Sequence, residues 1–185
     1  YMIFTSILFS KTLVFGVVPQ QSPHKLYKAW KPFIDYLSKD IGVKIIFKTE
    51  KSISKFEKNF YSGTYDIAYS NPYHYVLAHK LQNYNAIMRF NKKIVGILVV
   101  NKDSNIKLFS DIKNEDFLFP APKAFGATIL TKYDVMNKLS FDIDKSKKIR
   151  YVNSHDSVYL GIQRGIGKVG GGIIRTFNRF KYKEQ

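Results

Sequence analysis

The chain has 185 residues, of which 45 % are hydrophobic and 24 % charged, and its mean hydropathy is -0.21. This length and balance predict a folded protein of one domain or two small lobes, and exclude an integral membrane bundle, a disordered chain and a collagen-like fibre. The chain has no cysteine, which excludes disulfide scaffolds, cysteine-ligated zinc and cysteine nucleophiles.

The formal net charge is +16, and the 30 basic residues divide into 25 lysines and 5 arginines. Arginine is the residue favoured for contacts to phosphates and base edges, and here it is scarce. The lysines are dispersed between apolar positions, with no run of five or more like charges. We therefore expect a solvated basic surface without a nucleic-acid partner, and a basic nucleic-acid-binding module is the less favoured alternative.

Residues 2–9, which follow Tyr1, form the short apolar run MIFTSILF. The run is too short to cross a bilayer, which takes about 20 residues, but it resembles the end of the hydrophobic region of a secretory signal. Residues 1–10 are therefore predicted to be the remnant of a signal peptide. An N-terminal strand or a frayed helix is the alternative.

In the first half of the chain, apolar runs alternate with helical stripes. Strands are predicted at residues 12–18, 43–47 and 65–69, and helices follow at 26–41, 53–60 and 72–80. Ser52 and Asn71 are predicted to cap the second and third helices. Pro32 either kinks the first helix or begins its regular part. This alternation is typical of βαβ units with a parallel sheet.

The second half repeats this rhythm after predicted strands at residues 86–90 and 94–100. A strand at 117–119, a helix at 129–139, a strand at 149–152 and a helix capped by Ser154 follow. The two series predict one α/β lobe at 11–93 and another at 102–185, with a crossing strand or hinge at 94–101. A ligand cleft is expected between the lobes.

Three loops that mix polar and aromatic residues follow predicted strands, where open α/β sheets bind their ligands. They are PQQSP at 19–23, YSNPYHY at 69–75 and FPAPKAFGAT at 119–128. The last two begin helices, whose free N–H groups and positive end suit an anion. The alternatives are an ordinary turn for the first loop, and for the second a simple cap by Asn71 with the tyrosines as filler.

The chain lacks the motifs that would indicate catalysis, a metal or a nucleotide. It contains no phosphate-binding Walker loop, the glycines at 170–172 lack the dinucleotide spacing, and the histidines lack the spacing of a zinc motif. His155 and Asp156 are adjacent on a predicted helix, where neighbouring side chains do not face each other, and there is no nucleophile elbow. We expect no enzyme, no metal site and no cofactor.

Five strings in order resemble the PhnD-like phosphate, phosphite and phosphonate substrate-binding proteins of ABC importers. They are FGVVPQQSP, Trp30 with Pro32, YDIAYSNPYHY, FPAPKAFGAT, and SHDSVY followed by GGGIIRTF, so the resemblance covers residues 12 to about 180. It implies a two-lobed type II periplasmic binding protein fold of the α/β class, a small oxyanion in the cleft, a periplasmic location and an ABC permease partner. A ligand-sensing module of the same fold in a signalling protein is the alternative.

The resemblance also implies a set of ligand contacts drawn from both lobes. The implied residues are Ser52, Tyr69, Ser70, Asn71, Tyr73, Ala124, Phe125, Gly126, Thr128 and His155. Where phosphonate binders of the family carry a Ser-Thr-Ser cluster, this chain has Ala124, Phe125 and Gly126, so Thr128 is the nearest hydroxyl. His155 is expected to donate a hydrogen bond to the anion and to titrate near neutral pH. Because family members continue past the GGGIIRTF segment, we expect the C-terminal part of their fold to be missing from these 185 residues.

Overall fold

The computed structural model describes residues 12–145 and 148–180, so the predicted signal-peptide remnant at 1–10 lies outside the described residues. The N-terminal half consists of β1 (Leu13–Val17), α1 (Pro23–Asp40), β2 (Ile45–Thr49), α2 (Ile53–Tyr61), β3 (Ile67–Tyr69) and α3 (Pro72–Gln82). The C-terminal half consists of β4 (Gly96–Val99), β5 (Phe117–Phe119), α4 (Thr131–Leu139), β6 (Ile149–Tyr151), α5 (His155–Gln163), β7 (Val169–Ile173) and α6 (Ile174–Phe177). A π-helical segment, Phe125–Leu130, leads directly into α4.

Each half has its own sheet. The first has the strand order β2-β1-β3 and is parallel, with Phe15 of β1 between Phe47 and Ile67. The second has the order β4-β7-β5-β6 and is parallel except for β4, which runs antiparallel to β7. The predicted α/β class is confirmed, and the loops at the carboxyl ends of the parallel strands lie where such sheets bind ligands.

Helix α1 covers the first sheet with an apolar stripe. Leu26 and Ile34 are buried against Phe15 and Ile45, and Trp30 packs on Phe15 with 5.5 Å between ring centroids. The helix begins at Pro23 and continues through Pro32, so of the two alternatives for Pro32, the one in which the regular part of the helix begins there is wrong. A proline at the first helical position lacks only an N–H that would have no helical partner there, which makes Pro23 a favourable start.

The strand predicted at residues 86–90 is wrong, because residues 83–95 form no strand. Asn83 ends α3 in the left-handed conformation with φ of 57°, and β3 is an edge of its sheet in the described part of the chain. Ile87 and Met88 are each more than four-fifths exposed. Apolar and aromatic residues form a strand only when a neighbouring edge pairs with them, and here none of the described strands does.

The glycines at 170–172, for which no strand was predicted, form the middle of β7 and are buried. A Cβ on Gly171 would lie 2.2 Å from the carbonyl oxygen of Ala127 and 2.3 Å from Cδ1 of Phe119. A Cβ on Gly126 would lie 2.5 Å from Cγ2 of Ile173. The missing side chains therefore let β7 and the helical segment that begins at Phe125 approach each other closely.

We expect Gly171→Ala to destabilise the protein by about 1 to 3 kcal/mol, the usual cost of overpacking a filled core. The added methyl group would meet a backbone oxygen that cannot move without shifting the start of the helical segment. Urea unfolding measures the effect. Gly42→Asn is the control, because its φ of +65° suits asparagine and nothing lies within 4 Å. A loss below about 0.5 kcal/mol for Gly171→Ala would contradict this packing.

Candidate functional site

A small pocket lies between the two halves. Its empty space, including the part that opens to solvent, is about 330 Å³. The lining residues are Val18, Gln20, Ile53, Asn71, Ile94, Ala124, Phe125, Gly126, Ala127, His155 and Ile173. Of these, none carries a carboxylate or an ammonium or guanidinium group. The pocket therefore offers neutral polar groups set in an apolar wall.

Three polar contacts hold the halves together beside this pocket. The N–H of His155 donates to the carbonyl of Gln20 at 3.2 Å, and Nη2 of Arg175 donates to Oε1 of the same glutamine at 3.1 Å. Nζ of Lys25 binds Oδ2 of Asp156 at 2.8 Å. All three join the loop after β1 and the start of α1 to the C-terminal half on this side of the pocket.

The helical segment that begins at Phe125 supplies the clearest anion-binding feature of the pocket. The N–H groups of Thr128 and Ile129 both donate to the carbonyl of Ala124, at 2.8 and 3.2 Å. The N–H groups of Phe125, Gly126 and Ala127 come earlier, where a helix has no preceding carbonyl to offer. Because these residues line the pocket, their amides and the positive end of the helix suit an oxyanion.

The start of α3 contributes less, because its cap uses one of the available amides. Oδ1 of Asn71 accepts the N–H of His74 at 2.8 Å, which confirms the predicted cap. Pro72 has no N–H, so Tyr73 is the residue of the first turn whose amide the cap leaves to a ligand. Nδ2 of Asn71 lies 3.3 Å from Nε2 of His74, within the polar cluster that also includes Glu57.

His155 is a buried, neutral member of the pocket. Burial, and after it the positive charge of Arg175, lowers the pKa of His155 to about 4. The prediction that it titrates near neutral pH is therefore wrong, since removal from water and the charge of Arg175 both disfavour the protonated imidazole. Nδ1 lies 3.4 Å from Oγ1 of Thr176, which leaves Nε2 for a ligand. The predicted cap of its helix is confirmed, because Oγ of Ser154 accepts the N–H of Ser157 at 3.1 Å.

The pocket brings together five of the ten residues that the sequence resemblance implied. They are Asn71, Ala124, Phe125, Gly126 and His155, drawn from both halves of the chain. Their contact with a ligand remains a prediction.

The other five residues lie outside the pocket lining. Oγ of Ser52 caps α2 by accepting the N–H of Lys55 at 3.2 Å. The ring of Tyr69 packs on Trp30 at 4.7 Å between centroids, and Ser70 and Tyr73 flank the pocket residue Asn71 in sequence. Oγ1 of Thr128 is buried and donates to the carbonyl of Ala121 at 2.8 Å. A hydroxyl whose hydrogen is bonded to a backbone carbonyl, as in Thr128, is a poor candidate to donate to a ligand. Contact of the other four residues with a ligand remains a prediction.

Sequence reasoning missed two kinds of site residue. The apolar lining comes from Val18, Ile53, Ile94 and Ile173, which read as ordinary core positions in the sequence. Arg175, whose guanidinium reaches Gln20, follows β7 and was noted only as part of the string GGGIIRTF. The scarcity of arginine in a lysine-rich chain is the one signal that could have drawn attention to it.

Within residues 12–145 and 148–180, no group of three or more histidine, aspartate and glutamate side chains is placed to hold a metal ion. The helices in those same ranges include none that is both long and apolar enough to cross a membrane.

We expect His155 to make stability depend on pH between about 7 and 4. Its folded pKa of about 4 lies below the unfolded value of 6.5, so the unfolded chain binds more protons in this range. Stability therefore falls as the pH falls, by up to about 3 kcal/mol. Urea unfolding of the wild type and His155→Asn at pH 7 and 4.5 measures this contribution as the difference between their losses. Between pH 7 and pH 4.5, the control His24→Asn, at an exposed histidine, should lose as much stability as the wild type. A loss in His155→Asn equal to that of the wild type would contradict the role of His155 in this pH dependence.

Comparison with known proteins identifies the family. Residues 15–185 match the family model described as ABC transporter, phosphonate, periplasmic substrate-binding protein. A protein of Prochlorococcus marinus (strain MIT 9301), named "Probable ABC transporter phosphite binding protein PhnD1", is 26 % identical over 184 aligned residues. The match covers 92 % of this chain and 61 % of that protein. The chain thus spans less than two thirds of this relative's length, as the sequence resemblance predicted.

Solved structures agree in fold. The structure of PhnD1 from Prochlorococcus marinus in complex with methylphosphonate superposes with a TM-score of 0.81 at 23 % identity, covering 92 % of this chain and 66 % of that one. A binding protein component of an ABC phosphonate transporter from Pseudomonas aeruginosa superposes with a TM-score of 0.77 at 17 % identity, covering 92 % and 59 %. The predicted type II periplasmic binding protein fold is confirmed, and the chain belongs to the family of periplasmic substrate-binding proteins of phosphonate ABC transporters.

Proposed function

We propose that this protein captures a small phosphorus oxyanion, a phosphonate or phosphite, in the pocket between its halves and delivers it to an ABC permease from the periplasm. The observation that carries the proposal is the convergence of the amides at Phe125, Gly126 and Ala127 with the buried His155. The amides donate to anionic oxygens, and the neutral imidazole adds a hydrogen bond without the cost of burying a second ion. The relative named as a phosphite-binding protein and the structure with methylphosphonate support this class of ligand.

The pocket wall favours a ligand that has one apolar substituent. Val18, Ile53, Ile94 and Ile173 face the same space as the polar groups, so a methyl group or a P–H bond loses little on leaving water. A fourth oxygen, as in phosphate, would need a donor on this wall. The lining also lacks a carboxylate that could pair with the amino group of an aminoalkylphosphonate. The proposal therefore ranks methylphosphonate and phosphite above phosphate, sulfate and 2-aminoethylphosphonate.

The proposal includes no chemistry on the ligand. The hydroxyls of Ser154 and Ser157 bind each other at 2.9 Å at the start of α5, and Asp156 is paired with Lys25. His155 contacts Thr176 through Nδ1 and has no carboxylate partner among its described contacts. A hydrolytic site needs a nucleophile within hydrogen-bond reach of a base that a third group orients, and these residues are committed elsewhere.

We expect methylphosphonate and phosphite to raise the melting temperature of the protein in a thermal-shift screen with phosphate, sulfate and 2-aminoethylphosphonate. A ligand at 100 times its dissociation constant stabilises the folded state by about 2.7 kcal/mol. Calorimetric titration should then show affinity about 10 to 100 times weaker for His155→Ala, since a hydrogen bond to a charged group contributes about 1.5 to 3 kcal/mol.

His24→Ala provides the control, because His24 is exposed and does not line the pocket. It should bind within twofold of the wild type. An unchanged melting temperature with every oxyanion in the screen would contradict the proposed function. Preferential binding of 2-aminoethylphosphonate would contradict the ranking that places methylphosphonate and phosphite first.

A further inference from the structure

The side chain of Arg175, in the C-terminal half, contacts three uncharged residues of the N-terminal half, Gln20, Tyr69 and Phe90. Arg175 lies on the short helix α6, and its Nη2 donates to Oε1 of Gln20 at 3.1 Å. Its Cζ lies 5.9 Å from the ring centroid of Tyr69 and 5.6 Å from that of Phe90. These two rings pack edge to face at 6.1 Å. The guanidinium therefore contacts one amide oxygen and two aromatic rings.

We propose that Arg175 is the positioning and charge-determining residue of the pocket, which holds Gln20 across the cleft and supplies the positive charge that favours an anion. This inference rests on the proposed function for the identity of the ligand. It concerns a residue that does not itself line the pocket, so its action passes through Gln20 and through the electric field.

The positioning role follows from the two contacts of Gln20. Its side chain accepts from Arg175, while its carbonyl accepts the N–H of His155 at 3.2 Å, and the residue itself lines the pocket. The side chain of Arg175 thus holds Gln20 in place, and the first residue of α5, His155, is bonded to the same glutamine. A planar guanidinium can donate to an amide and stack on rings at the same time, which a lysine ammonium cannot do as well.

Arg175 can supply positive charge to the pocket because its guanidinium forms no described ion pair, whereas the other nearby cation does. Lys25, the other cation that bridges the halves here, binds Asp156 at 2.8 Å. The described contacts of Arg175 are with neutral groups, and no carboxylate among the described residues forms an ion pair with it. Its charge therefore acts on a pocket whose own lining is neutral. An anion gains from this charge, and a cation or zwitterion gains less.

The test compares three variants by calorimetric titration with methylphosphonate. Arg175→Met removes the charge and the donors but keeps an unbranched chain over the rings, whereas Arg175→Lys keeps the charge. Arg179→Met is the matched control, since Arg179 is an exposed cation four residues further along. We expect affinity at least tenfold weaker for Arg175→Met, a smaller loss for Arg175→Lys, and a change below twofold for Arg179→Met. Added salt should weaken binding less in Arg175→Met than in the wild type.

Two measurements without ligand separate this inference from the proposed function. In Arg175→Met the amide of His155 should exchange its hydrogen faster, because its acceptor Gln20 is no longer held. NMR titration should also show the imidazole pKa of His155 rising from about 4, since one of its two causes is removed while burial and the Lys25–Asp156 pair remain. Arg179→Met should change neither value.

If the wild type binds no oxyanion, the proposed function fails, and these two measurements still decide the role of Arg175. Faster exchange with a raised pKa would then support it. Affinity within twofold of the wild type in Arg175→Met, or an unchanged His155 amide and imidazole, would overturn it.

Discussion

The pocket depends on a single glutamine that both halves of the protein share. Gln20 follows β1, yet its carbonyl accepts the N–H of His155 and its side chain accepts from Arg175. Both partners lie more than a hundred residues further along the chain. Without these bonds, the polar contacts described between the halves on this side of the cleft reduce to the Lys25–Asp156 ion pair, and a partly exposed pair contributes little. The apolar contacts of Val18 and Ile53 with the C-terminal half would remain, but they orient no hydrogen-bonding group. The two hydrogen bonds of Gln20 therefore hold the start of α5 and Arg175 against the N-terminal wall of the pocket.

The side chains that line the pocket are uncharged, and this determines how the pocket can stabilise an anion. Burial holds His155 in its uncharged form, and the helical segment at Phe125 offers amides rather than side-chain cations. An anion in such a pocket is stabilised by oriented dipoles that need no desolvation of a counter-ion. The surrounding lysines make the whole molecule basic, but their charge is dispersed over the solvated surface. The net charge of +16 thus favours the approach of anions in general, while the pocket supplies the selection among them.

Local features of the fold were predictable from the sequence. The caps at Ser52, Asn71 and Ser154 were found because a capping side chain bonds an amide only a few residues away. The strand at 86–90 was predicted wrongly, because these residues have high strand propensity but no described strand pairs with them. The strand formed by the glycines of β7 was missed for the opposite reason, because glycine has low strand propensity. Glycine is needed there because the helical segment that begins at Phe125 packs too close to β7 for a side chain.

The site was predictable only in part, for a related reason. Family resemblance indicated Asn71, Ala124, Phe125, Gly126 and His155, which the fold does gather into one pocket. It could not show that the hydroxyl of Thr128 is used by a backbone carbonyl. Nor could spacing reveal a contact between residues 20 and 175, because that contact exists only once both sheets have formed.

An amide-resolved NMR titration of the protein with methylphosphonate tests whether the oxyanion binds at the helical segment that begins at Phe125. If the oxyanion binds at the helical segment between the halves, the largest shifts will be those of the Phe125, Gly126, Ala127 and His155 amides, and they will saturate together. Saturable binding that leaves these four amides unchanged and shifts only surface amides would contradict oxyanion binding between the halves.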